Sequence, residues 1–265
     1  MIIALRIYTL KAINFMEDNL IFNFNNDITN VEIPENLNNP FGSYTPEIAR
    51  IAAVQFQTFI SKESKEWDYD FKTRDGKMFG VLVIQKEDNS YGYLGSVSGK
   101  ISRHSICPKF APSVFDDSTD DYFINTEMSK LSIICNEINA CTDPKEKVKL
   151  KEHRKQFSYG IQQRIFENSR FTNVAGIYKN VIEIFEESTH GQPPAAAGEC
   201  AAPKLIQYAI NNKLKAIAIA EFWWGNPLKT NERIHKDYYP SCKNKCRPIL
   251  EFLLNDRKLY KQAHP

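Results

Sequence analysis

The sequence lacks any long uninterrupted hydrophobic run. No stretch approaches the roughly 20 apolar residues that cross a bilayer, and Lys11, Glu17 and Asp18 interrupt the apolar opening segment. That segment also lacks the small-residue cleavage site that is typical of a secretory signal peptide. We therefore expect a cytoplasmic protein with no membrane partner.

Net charge and cysteine are also scarce. The formal net charge is only +2 over 265 residues, so the chain as a whole does not point to a polyanion, and any nucleic-acid contact must be local. The six cysteines are too few and too unevenly spaced for a disulfide scaffold, and we expect free thiols or metal ligands at positions 107, 135, 141, 200, 242 and 246. A hydrophobic content of 42% predicts a folded protein.

Hydrophobic patterning predicts an α/β fold. Residues 45–67 have helical spacing of apolar residues, with Thr45 as a cap and Pro46 at the first helical position. The runs KMFGVLVIQ and YGYLGSVSG flank the polar turn KEDNS and predict a β-hairpin, and residues 104–122 predict a loop. The last third predicts a helix (CAAPKLIQYAINNKL), a strand (AIAIAEFWW) and a second helix (CKNKCRPILEFLLN).

Residues 125–187 favour helix almost throughout. A break at CTDP divides them into the two arms of a projecting helical hairpin, and GIYKNVIEIFEE predicts a further helix. The sequence thus predicts an N-terminal extension (1–30), an α/β core (31–124 and 188–265) and an inserted hairpin (125–187). The second arm is basic and includes Lys149, Arg154 and Arg164. It predicts either an RNA-facing surface or a solvated helix face.

Three cysteines stand at the predicted helix starts. If the intervening strand is parallel to its neighbour in the sheet, Cys200 lies at the same sheet edge as Cys242 and Cys246. The Cys-x-x-x-Cys spacing puts the last two sulfurs on one helix face. Helix N-termini favour thiolates, and three thiolates could bind zinc with an open fourth position. Three buried structural thiols are the alternative. His190 and His235 are possible fourth ligands or ordinary loop histidines.

The order hairpin, helix beginning with Cys-Ala, strand, helix with two cysteines resembles the cytidine-deaminase superfamily. The resemblance implies a layered α/β core with zinc ligands at the two helix starts. It also implies a general acid/base Glu two residues after the first ligand, where this sequence has Ala202. Glu199 and Glu221 are the candidate catalytic replacements, with a capping or surface role as the alternative.

A second resemblance extends from about residue 33 to residue 254. The strings PFGSYTPE, GKMFGVLVIQ, FAPSVFD, PPAAAGECAAPKLIQYA, AEFWWG and YPSCKNKCRPIL are similar to the amino-terminal extension of RluA-type bacterial pseudouridine synthases. In that family the catalytic aspartate belongs to a His-Arg-Leu-Asp motif in a separate domain, and this sequence has no such motif. The resemblance implies an RNA-associated accessory module that does not catalyse alone. The alternatives are a zinc-dependent nucleobase or nucleotide hydrolase, and a scaffold that docks a separate synthase domain.

Aromatic and basic residues near the cysteines are further candidates for nucleic-acid binding. Trp223 and Trp224 end the predicted strand and could stack an unpaired base, or they could pack in the core. Lys204, Lys243 and Arg247 stand near the cysteines in sequence and could meet phosphate. A solvated helix end explains the same residues.

Overall fold

A four-stranded antiparallel sheet with helices on both faces forms the centre of the molecule, as seen in a computed structural model of the chain. The structure describes residues 20–67, 69–101, 109–115, 117–228 and 233–255. In chain order the elements are β1 (Phe22–Asn23), α1 (Glu47–Glu63), β2 (Lys77–Gln85), β3 (Tyr91–Val97), α2 (Asp117–Ala140), α3 (Pro144–Asn168), β4 (Arg170–Thr172), β5 (Tyr178–Asn180), α4 (Val181–Glu186), α5 (Ala201–Asn211), β6 (Lys215–Trp224) and α6 (Arg247–Leu254).

The predicted hairpin is confirmed, and its two strands form the middle of the sheet. β2 and β3 pair antiparallel with Leu82 opposite Leu94, and the strand order is β1-β3-β2-β6. β6 is also confirmed, but it pairs antiparallel with β2. The parallel pairing from which we predicted the meeting of the cysteines is therefore wrong. The mixed α/β class is confirmed.

The two faces of the sheet bury separate apolar clusters. On one face, α1 packs Phe56 against Phe79 and Phe222. A Cβ at Gly95 would come within 2.2 Å of the Phe56 ring, so only glycine fits that position. On the other face, α5 packs Leu205 and its other apolar residues against β2 and β3, and α6 packs against α5. This second face carries the cysteines.

Helix starts differ from their predictions for local reasons. Pro46, not Thr45, occupies the N-cap position of α1. α2 begins at Asp117, inside the segment that we predicted as loop. α6 begins only at Arg247, after turns at residues 243–246. Pro248 lacks a backbone N–H and fits the first turn of a helix, which explains why this helix begins later than Cys242.

The predicted helix over GIYKNVIEIFEE forms only in the second half of that segment. β4 and β5 form a small antiparallel hairpin, and only α4 is helical there. The Asn173 side chain accepts N–H groups of Ala175 and Ile177 and thereby closes the hairpin turn. Asn180 and Glu183 form a capping box that starts α4. These local side-chain bonds outweigh the helical pattern.

The predicted domain division stays a prediction. Residues 1–19 lie outside the described residues, but β1 joins the sheet and Phe22 stacks on Tyr93 at 5.1 Å. The two predicted arms form the long helices α2 and α3, which pack against each other. Ile161 and Phe166 are the buried residues of α3, towards its carboxyl end. Among the described residues, no helix combines the length and the apolarity needed to cross a membrane.

Candidate metal centre

Three cysteine sulfurs meet at the amino ends of α5 and α6. Cys200 is the residue before α5, Cys246 is the residue before α6, and Cys242 lies four positions earlier. All three Sγ atoms lie within 4.8 Å of one another, and Sγ of Cys242 is 3.2 Å from Sγ of Cys246. The predicted convergence is confirmed, although Cys242 precedes the turn at residues 243–246 and does not lie on a helix.

Two backbone features bring these segments together. Gly80 of β2 allows α5 to approach the sheet, because a Cβ there would lie 3.1 Å from Ala201 Cβ and 3.1 Å from Leu205 Cδ1. The segment before Cys242 is fixed by the Ser241 N–H, which donates to the Pro40 carbonyl at 2.8 Å. The Cys246 N–H donates to the Cys242 carbonyl at 3.2 Å and curls the segment so that its two thiols meet.

The sulfur positions fit a zinc ion. Zn–S bonds of about 2.3 Å in a tetrahedron place sulfurs about 3.8 Å apart. The observed separations of 3.2 Å and at most 4.8 Å bracket this value, so changes of at most about 1 Å in the sulfur–sulfur distances would complete the geometry. Cysteine thiolates are ligands that zinc prefers. No fourth histidine, cysteine or carboxylate ligand joins the group among the residues that the structure describes.

One thiol of the cluster, Cys242, favours the thiolate form. Hydrogen bonding with Cys200 and then with Cys246 holds the pKa of Cys242 far below its usual value. Hydrogen bonding with Cys242 raises the pKa of Cys200, and hydrogen bonding with Cys200 and then with Cys242 raises the pKa of Cys246. Burial adds to both shifts. Three thiolates this close repel one another strongly, so a divalent cation is needed before all three can ionise together.

Glu221 is a buried carboxyl beside the cluster. Only 7% of the residue is exposed. Burial raises the pKa of Glu221 to about 7, the charge of Cys242 adds to this, and hydrogen bonds from Ser241 and from the Ala202 N–H oppose it. The Ser241 hydroxyl donates a short hydrogen bond to the carboxylate. Glu221 is thus oriented from two sides and can exchange a proton near neutral pH.

Glu199, the other candidate acid, lies in a different network. Its carboxylate accepts the Ser113 hydroxyl at 2.6 Å and lies 3.8 Å from Nζ of Lys204. Lys204 is buried and donates to the Gly99 carbonyl at 3.1 Å. Burial lowers the pKa of Lys204, and Glu199 opposes that shift. These contacts tie the start of α5 to the loop after β3, and Lys204 has no exposed ammonium to offer a phosphate.

The two candidate histidines do not reach the cysteines. His190 is exposed in a turn. His235 accepts the Gly225 N–H at 2.9 Å and lies against the Trp224 ring at 4.5 Å. The alternative of ordinary loop histidines is therefore the one that the structure supports.

Most residues near the cysteines that we considered for nucleic-acid contact are buried or stacked. Trp223 is 3% exposed and Trp224 is 8% exposed, so the core-packing alternative holds for both and neither ring is open to a base. Arg247 lies over the Phe41 ring at 5.0 Å, whereas Lys243 is exposed.

The basic arm, α3, differs from the residues near the cysteines because most of its charged side chains are exposed. They include Lys149, Arg154 and Arg164; Arg164 also lies 3.5 Å over the Phe123 ring.

A cleft along the outer edge of β6 reaches Glu221 and Ser241, and we call it the edge cleft. Its inner chamber has a volume of about 100 Å³. Asn38 closes the edge of the strand, because its side-chain amide accepts the Ile219 N–H at 2.8 Å and donates to the Ile219 carbonyl at 3.1 Å. Sequence reasoning missed this cleft and the role of Ser241, although Ser241 stands next to a predicted ligand.

Comparisons with family models, with curated proteins and with solved structures found no match for this chain. The two resemblances of the sequence therefore stay predictions.

Proposed function

We propose that this protein is a zinc-dependent hydrolase with a deaminase-like layered core, acting on a nucleobase or nucleotide. The observation that carries the proposal is the convergence of Cys200, Cys242 and Cys246 beside the buried carboxyl of Glu221. A purely structural zinc site has four protein ligands, whereas a catalytic site has three and an open position. The three-cysteine group favours the second kind.

The order of elements supports the deaminase-like reading. A hairpin (β2 and β3) is followed, after the elements α2 to α4, by α5, β6 and α6. Cys200 and Cys246 each directly precede one of the last two helices. The departure is at Ala202, where the resemblance implies a glutamate. The Ala202 N–H donates to Glu221, so a carboxyl from the neighbouring strand stands beside the position that the missing glutamate would occupy.

In this proposal zinc supplies a water that is nucleophilic near neutral pH. Glu221 would accept a proton from the attacking water and would pass it to the departing amino nitrogen. Water oxygen adds to the ring carbon, the carbon–nitrogen bond breaks and ammonia leaves, so no redox partner is needed. Ser241 and the Ala202 N–H hold the carboxyl in place.

Metal analysis of the purified protein tests the proposal. We expect nearly one zinc per chain in the wild type, and a loss of at least tenfold in zinc affinity in Cys200→Ser. Cys135→Ser is the matched control, because Cys135 is a free cysteine on α2. A wild type that binds no zinc, or a Cys200→Ser variant with unchanged affinity, would contradict the metal site.

The catalytic part needs a separate assay. Ammonia release from cytosine, cytidine and adenosine should depend on zinc. Glu221→Gln should lower the rate by two to four orders of magnitude, as is typical for loss of a general base, while zinc content stays constant. Zinc-loaded wild type that releases no ammonia from any of the three would refute the deaminase reaction.

A second candidate function is RNA association through the basic arm. α3 contains seven Lys or Arg residues and three Glu, and its first half is exposed on nearly every side. Lys and Arg on an exposed helix neutralise phosphates and release counterions. The similarity to a pseudouridine synthase extension motivates the same proposal, namely an accessory module for RNA.

Binding to a structured RNA at several salt concentrations tests this candidate. Lys149→Gln and Arg154→Gln should each reduce the slope of log affinity against log salt by about one. Lys62→Gln on α1 is the control because Lys62 is exposed outside the arm. An affinity that is indifferent to salt and to both arm variants would overturn RNA binding by the arm.

A further inference from the structure

The edge cleft has two neighbouring parts. The inner chamber is lined by Glu221 and Ser241. The outer chamber has a volume of about 400 Å³. Four residues, Asn38, Asn39, Gly42 and Tyr44, line both chambers, so a ligand bound at these residues would contact both.

The inner chamber has an almost uncharged wall. Glu221 is the only acidic or basic residue among the described residues that line it, and the rest offer amide, hydroxyl, aromatic and backbone groups, as in Asn39, Ser43 and Tyr238. A chamber of this size is smaller than the usual 300–1,000 Å³ of a cofactor site. It suits one small ring with hydrogen-bonding edges.

The outer chamber is acidic. Glu32 and Glu47 line it and are exposed, and the described lining residues include no lysine or arginine. Two guanidinium groups lie close by, because Arg50 lies 5.5 Å over the Tyr238 ring and Arg233 lies 4.7 Å over the Tyr239 ring. Neither arginine lines a chamber, and each is held on the tyrosine ring that it covers.

Tyr44 marks the boundary between the chambers. It is 72% exposed, which is unusual for a large aromatic residue in the wall of a cleft. An exposed ring at that point can stack on a planar ligand as the ligand passes into the inner chamber.

We propose that the edge cleft admits an unphosphorylated ligand, whose single uncharged ring occupies the inner chamber and whose neutral or cationic substituent lies between Glu32 and Glu47. The reacting position of that ring depends on the zinc hydrolase proposed above, but the charge preference does not. Exposed charge pairs contribute about 0.2–1 kcal/mol each, so two carboxylates together should change affinity by roughly twofold to thirtyfold.

Three probes that differ only at the 5′ position test the charge preference. They are cytidine, cytidine 5′-monophosphate and 5′-amino-5′-deoxycytidine, and their affinities are measured by calorimetry on zinc-treated and on metal-free protein. We expect the amino compound to bind most tightly and the phosphate most weakly. In the double variant Glu32→Gln/Glu47→Gln, the three affinities should approach one another.

Glu35→Gln is the matched control, because Glu35 is an exposed neighbouring acid that lines neither chamber. It should preserve the wild-type order. Phosphate binding that equals or exceeds cytidine binding, an order unchanged in the double variant, or no binding of any probe would overturn the inference. Failure of the zinc hydrolase would instead appear as missing zinc or missing ammonia release, with the charge order intact.

Discussion

Zinc should stabilise the fold because it links two segments that are far apart in sequence. Cys200 and Cys242 stand about 40 residues apart, and a cross-link that closes a loop of this length removes about 4 kcal/mol of unfolded-state entropy at 25 °C. For a domain of this size each kcal/mol shifts the melting temperature by roughly 2–4 °C. We therefore expect zinc at saturation to raise the melting temperature by roughly 8–16 °C.

The assay is thermal unfolding followed by circular dichroism on reduced protein, with a chelator or with increasing zinc. A free zinc concentration about 1,000 times the dissociation constant corresponds to about 4 kcal/mol of linkage, so the shift should grow with zinc and reach the estimated range. Cys200→Ser should lose most of it, because one side of the link is gone. Cys135→Ser should keep it.

Two outcomes would refute this reasoning. An equal zinc-dependent shift in Cys200→Ser would place the metal elsewhere. The absence of any shift in wild-type protein that contains zinc would mean that the ion does not tie α5 to the segment before α6.

Three further predictions follow from packing, capping and burial. Gly80→Ala should cost about 1–3 kcal/mol of unfolding free energy in urea titrations and weaken zinc binding, because its Cβ pushes α5 from the sheet; Gly160→Ala, in an open position of α3, should instead stabilise by about 0.5–1 kcal/mol. Asn180→Ala removes the N-cap of α4 and should lower the free energy of unfolding by about 1 kcal/mol, measured as a lower urea midpoint. An unchanged midpoint would rule out a stabilising cap. Burial raises the pKa of Tyr93 to about 12, so the tyrosine ionises in the unfolded chain first, and the free energy of unfolding falls as pH rises from 10 to 12. In Tyr93→Phe the free energy of unfolding should fall by roughly 2 kcal/mol less over that interval, as measured by urea unfolding at each pH.

Local sequence patterns determined most of the elements. Alternating and continuous apolar runs fixed β2, β3 and β6, and the proline after Asp143 fixed the start of α3. Prediction failed where the hydrogen bonds of a single side chain determined the backbone conformation. Asn173, for example, closes a β-turn inside a segment with a helical pattern. It also failed at α6, whose first turn is set by Pro248.

The sequence by itself determined that three cysteines precede two helices, and hence that a thiolate metal site was possible. Only the tertiary structure decided that the sulfurs meet, because β6 is antiparallel to β2 and the approach of α5 depends on Gly80, which is far from Cys200 in the chain. It also decided which acid stands beside them: Glu221 and Glu199 look alike in sequence, yet burial and a bond from Ser241 distinguish the first. Such differences arise from contacts between distant segments, where local propensity carries no information.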